Sequence, residues 1–172
     1  MKNRYALVLL GIAAVALAGI HRIARQEGYL AIDVPGVILQ LKGGFGQYRT
    51  LQSGSQRPAL PARMYRPIRL EMTRTQNGVT WRMHSGGPWG NLDRIEVERG
   101  QTTAIELGPP LTIKPLVEVL PGQVFIGLQI FGRAGEQYSN LVYRNDRRIE
   151  TPKVTILSEG GTQLAFGSFS YG

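Results

Sequence analysis

This chain of 172 residues has no cysteine, two histidines, and twelve acids against twenty bases. Without cysteine there is no disulfide framework and no thiolate metal site. The scarcity of histidine narrows catalysis. His21 borders an N-terminal apolar run, which leaves His84 for any Ser-His-Asp relay, and no Gly-x-Ser-x-Gly elbow accompanies it. His84 therefore reads as an exposed strand histidine. The acids are scattered, and no spacing selects the facing carboxylate pair of a glycosidase. Asp146 and Glu150 are flanked by Arg144, Arg147 and Arg148 and read as part of a salt-bridged loop, not a calcium site. Glu136 stands in the glycine-bounded loop Gly132–Tyr138, where it is expected to accept from that loop's backbone donors or to pair with Arg133. Helical periodicity is missing too: no useful length of it follows residue 28. The chain is accordingly expected to have no enzymatic activity, no cofactor and no metal.

What the chain does have is alternation. Leu30, Ile32 and Val34 repeat with a period of two, as do Val37, Leu39 and Leu41, then Ile68, Leu70 and Met72, then Val79, Trp81 and Met83. Such alternation marks half-buried strands, apolar side inward. It assigns Ile68 and Trp81 to the core. The last two runs flank Asn77-Gly78, whose tolerance of positive φ predicts a tight hairpin. The stretch Leu107-Gly108-Pro109-Pro110-Leu111 interrupts the pattern, since two prolines lack donors, and it reads as a seam between modules. Beyond it, Leu111, Ile113, Val117 and Val119 alternate, with Pro115 marking an edge or bulge. The run from Val124 to Phe131 is apolar on both sides and predicts a central strand. Val154 with Ile156, and Leu164 to Phe166, complete the series.

The predicted fold is all-β: two small antiparallel β-sandwich-like modules after an N-terminal hydrophobic signal or anchor helix. The boundaries are 1–27 for signal peptide or membrane anchor, 28–108 for the first module and 109–172 for the second. The second is near the size at which a core alone is marginal. It is expected to complete itself against the first module or another subunit.

Address and charge follow. Met1-Lys2-Asn3-Arg4 is a basic start, and Tyr5 to Ile20 is sixteen residues without charge. Ala16-Leu17-Ala18 before Gly19 has the form of a signal cleavage site. His21, Arg22 and Arg25 just beyond resist translocation, so an uncleaved membrane anchor stands beside the cleaved signal. Either reading places the protein in the periplasm or on the cell surface, with anchoring in the inner membrane if the helix is kept. Net charge is +8, and residues 42–82 hold eight bases against the single acid Glu71. Arginine forks match anionic groups in a bidentate way. Arg69 and Arg82 are expected outside, as cross-strand neighbours across the Asn77-Gly78 hairpin, with Arg66 one period further out. These three, with Trp89 in its Gly-Pro loop, are the candidate residues for an anion or partner. Trp89 reads either as a stacking platform or as a plug over the open end of the core.

A resemblance accompanies these patterns. Gly28-Tyr29-Leu30-Ala31-Ile32-Asp33-Val34-Pro35-Gly36-Val37, with Ile95–Thr103, resembles a PEGA-type extracytoplasmic β-module, although the Pro-Glu-Gly-Ala tetrad itself is absent. Gly132–Tyr138 and the Phe169-Ser170-Tyr171-Gly172 ending are similar to exported β-sandwich proteins of planctomycete type. The resemblance implies an exported, non-enzymatic β-sandwich and carries over no catalytic residue. The expected function is a structural or protein-interaction module of the cell envelope. The alternative is a binding module for acidic polysaccharide or another anionic envelope polymer. The expected partner is thus an envelope protein or an anionic polymer, with membrane attachment if the N-terminal helix is uncleaved, and no nucleic acid.

Overall fold

The computed structural model describes residues 26–54 and 57–169. The predicted signal or anchor helix falls on residues outside the described ones, apart from its last two positions. Among the described residues, strands account for 57% and no α-helix occurs, so the fold is all-β. No described helix is long and apolar enough to cross a membrane.

The first half contributes β1 (Glu27–Ile32), β2 (Val37–Lys42), β3 (Tyr48–Gln52), β4 (Ala59–Pro61), β5 (Met64–Gln76), β6 (Val79–Ser85), β7 (Ile95–Glu96) and β8 (Thr102–Ile105). The second half contributes β9 (Thr112–Leu120), β10 (Gln123–Phe131), β11 (Gln137–Tyr138), β12 (Tyr143–Arg144), β13 (Arg147–Arg148), β14 (Lys153–Leu157) and β15 (Gln163–Ser168). They form a large sheet in the order β13-β12-β6-β5-β2-β3, with β7 also on β5, and a small sheet β4-β1-β8. β9 and β10 form a long ribbon with β11 at its base, and β14 pairs with β15 alone.

Alternation explains the core. Val37, Leu39 and Leu41 of β2 and Leu70 and Met72 of β5 turn inward to meet Leu30 and Ile105 of the small sheet in one buried cluster. Each such side chain contributes about 1.5–3 kcal/mol on burial. Gly28 is required where it stands on β1, because a Cβ there would strike the Glu98 carbonyl oxygen.

Three features differ from expectation. First, Ile68 is exposed at 39%. The β2/β5 register slips between Gln40 and Leu41, where Pro67 faces Leu41. Proline cannot donate to the ladder, and the chain accommodates it with a bulge that moves Tyr65 and Pro67 inward and Ile68 outward. Second, β8 runs parallel to β1, with Tyr29 opposite Thr102 and Ile32 opposite Ile105. Parallel partners need a long crossover, and the large sheet built between β1 and β8 supplies it. Third, Asn145 and Asp146 adopt positive φ, +48° and +62°. They close a tight β12–β13 hairpin where a loop was expected.

The chain also crosses the Leu107–Leu111 seam and returns. Ile130, Ala134 and Tyr138 lie in the same buried cluster as Leu30 and Leu39. Tyr143 and Arg144 of β12 pair with Arg82 and Trp81 of β6. Residues 130–149 are therefore built into the body formed by 27–107. The seam is held as a clasp. Leu107 is fully buried, and the Gly108 N–H donates to Glu136 Oε1 at 2.6 Å. The Gly108 carbonyl accepts from the Arg133 N–H at 2.8 Å.

Candidate functional site

The outward face of the large sheet carries the predicted arginines. Strand alternation places Arg69 and Glu71 of β5 with Arg82 and His84 of β6 on the face away from the core. Glu71 lies opposite His84, and Arg82 lies opposite Thr73. Arg69 pairs with Gln40 on β2, and Arg66 with Lys42. Arg69 and Arg82 are thus not cross-strand partners; the residue count across the turn places Thr73, not Arg69, beside Arg82.

The face is also partly neutralised from within. Arg82 Nη2 is 3.1 Å from Asp146 Oδ1, and its guanidinium lies 5.2 Å from the centre of the Tyr143 ring. Glu71 Oε2 sits 3.5 Å from His84 Nδ1 and 3.9 Å from Arg69 Nη2. Solvent-facing pairs of this kind are worth about 0–1 kcal/mol. The His84 ring meets Tyr143 edge-on at 5.9 Å. Burial lowers the His84 pKa below 6.5; Glu71 opposes the shift, and Arg69 and Arg82 add to it. Arg66 is exposed beside Lys42 with no acid opposite it on β2.

Trp89 occupies the other predicted position, in the loop after β6, where it opens a short 3-10 turn over Gly90–Leu92. It is half-buried, packed against the core cluster, with its ring against Gly87. Among the described residues no arginine stacks on it. The four predicted residues do not converge on one point.

Ser85 and Glu136 hold backbone groups by hydrogen bonds. Ser85 follows His84 and therefore faces the opposite side of the sheet. Its hydroxyl donates to the Gln137 carbonyl at 2.6 Å and accepts from the Gly87 N–H at 3.2 Å. Glu136 is fully buried. Besides Gly108, its carboxylate accepts from the Ala134 N–H and the Tyr138 hydroxyl, both at 3.0 Å. Burial first, then the Glu136 charge and that hydrogen bond, raise the Tyr138 pKa far above the ordinary 10.0. Gly132 has no room for a side chain, because a Cβ would collide with the Glu136 carboxylate. Among the described residues no cluster of three or more His, Asp or Glu can hold a metal ion.

The structure brings together a second set that strand alternation mis-sorted. Trp81 is exposed at 39%, not buried. Its cross-strand neighbours are Arg74 on β5 and Arg144 on β12. Arg147 continues the row beside Arg144. The Arg144 guanidinium lies 5.8 Å from the Trp81 ring centre. The Asn77-Gly78 and Asn145-Asp146 turns signal the hairpins that align this row.

Comparison of the chain with protein-family models, with curated proteins and with solved structures found no match.

Proposed function

We propose that the chain is a non-catalytic protein-interaction module of the cell envelope, and that its β9–β10 ribbon is the docking element. One observation carries this reading. In the ribbon register, Ile113 faces Ile130, Pro115 faces Leu128, Val117 faces Ile126 and Val119 faces Val124. Four successive apolar pairs line one face. Only its base, at Ile130, reaches the core; Val117 and Val119 are exposed at 56% and 73%. Phe125 and Leu116 add exposed apolar area on the other face. A two-stranded ribbon is marginal alone in water, and contiguous apolar surface of this kind marks an interaction site. The second β-sandwich-like module is, on this reading, completed by a partner subunit that closes over the ribbon. Export, by cleaved signal or retained anchor, and the PEGA-type likeness belong to the same proposal.

The acidic-polysaccharide reading ranks below it. Arg69 and Arg82, two of its three arginines, have acids beside them, and Trp89 packs on the core.

A photo-crosslinking amino acid at Val117 tests the first reading in intact cells. A specific adduct, to a second copy or to another envelope protein, is expected. Val124→Glu in the same chain should abolish it without moving the thermal midpoint. An absence of adducts from a folded protein would refute the assignment.

A further inference from the structure

The inner face of the large sheet extends past its cover. Beyond Met72 on β5 and Met83 on β6 it borders an open cleft of about 950 Å³. The wall is formed by Val34, Met72, Met83, Leu111, Val142 and Trp81. Aliphatic and thioether side chains make this surface compliant, since methionine repacks around irregular shapes. Its size is at the upper end of the range of about 300–1,000 Å³ for small-molecule sites.

The charges on the wall are few. Arg74 and Arg133 stand on it, with Asp33 as the one acid. Arg144 lies against Trp81 from the β12 side, 5.8 Å from the ring centre, outside the lining itself. No ion pair among the described residues engages Arg74, Arg133 or Arg144. Arg74 projects where β2 has already ended, because the β2/β5 register stops at Val37 and Met72. Arg74 is exposed and lines a mostly apolar wall. Such an environment favours a ligand with an apolar body and one compact anionic end, because an Arg fork donates two parallel hydrogen bonds to a carboxylate.

We propose that this cleft binds a single-chain amphiphile with a carboxylate head, its alkyl chain along the Met72–Met83 floor and its head at Arg74 and Arg133. Trp81 covers the chain near the head. The site lies on the core side of the large sheet and meets the base of the ribbon at Leu111.

Dodecanoate below its micelle concentration is the probe, titrated into the full chain and followed by calorimetry and tryptophan fluorescence. Saturable one-to-one binding is expected, with an emission change that disappears in Trp81→Phe while Trp89 still reports the fold. Dodecyl maltoside, a neutral ligand with the same chain length, should bind about tenfold or more weaker. Arg74→Gln should reduce dodecanoate to that level. Arg74 is an exposed strand residue, so circular dichroism of this variant should match the parent. Arg133 also donates to the Leu107 carbonyl at 3.4 Å, which makes Arg74 the cleaner test. Non-saturable uptake, equal affinity for the neutral ligand, or an Arg74→Gln variant that binds dodecanoate unchanged would each overturn the proposal. Capture of an acidic peptide or a second copy in the cleft with no dodecanoate binding would overturn it as well.

Discussion

Glu136 shows what a fully buried carboxylate can do for a fold. It accepts from Gly108, Ala134 and Tyr138 and so joins residues on both sides of the proline-rich seam. Glu136→Ala leaves two backbone N–H groups and a phenol without an acceptor, at about 1–3 kcal/mol each. A stability loss of about 3 kcal/mol or more is expected, read as a lower urea midpoint at unchanged slope. The titratable groups bracket the working range. Tyr65 and Tyr138 are both raised above 10.0, chiefly by burial. Above about pH 10 the unfolded chain therefore releases protons that the folded chain keeps, and stability falls. His84 is lowered below 6.5 by burial. As pH drops through that value the unfolded chain gains a proton that the folded site resists, so stability falls again on the acid side. Urea midpoints across pH should peak between these limits, and Tyr138→Phe should flatten the alkaline arm. The loop position of Glu136 was legible, and acceptance from the loop's own backbone, here the Ala134 N–H, was one of two roles expected of it, beside pairing with Arg133. Its bond to Gly108 was not, because that contact depends on how the chain returns.

At the scale of elements, turn chemistry was the most legible signal and strand pairing the least. Asn77-Gly78 announces its hairpin, and both residues take positive φ, +50° and +72°. Asn145-Asp146 carries a comparable signal, hidden because the surrounding arginines draw the eye to charge. Pro67 lacks the donor a ladder needs and sits at the bulge, yet the alternation of Ile68, Leu70 and Met72 beside it carries no mark of the shift. Trp81 alternates with buried Met83 but lies where the small sheet does not reach, and alternation cannot report where a facing sheet ends. β14 and β15 pair with each other alone. No residue of this hairpin enters the core, and Leu164 and Phe166 are exposed at 66% and 80%. Deleting residues 151–172 should shift the thermal midpoint by no more than about 3 °C, the scale of a surface change under about 0.5 kcal/mol. A loss of cooperativity would show that the hairpin holds the body together.

At the scale of the molecule, residues 130–149 return to complete a body begun at residue 27, and that return has a consequence in time. A ribosome delivers β6 well before β12. At about 5–20 residues per second, the interval between residues 85 and 143 lasts about 3–12 s. Through that interval β6 offers an unpaired edge, and the nascent core lacks Ile130, Ala134 and Tyr138. Open edges recruit other strands, so each copy passes through a brief sticky phase. Arrested chains ending at residue 128 should remain protease-sensitive and bind a holdase chaperone. Chains with residue 149 clear of the exit tunnel should escape both, a difference that pulse proteolysis of ribosome-bound chains measures directly. The clasp at Gly108 thus works as a clock: until Glu136 emerges, the strands β1 to β8 wait for it.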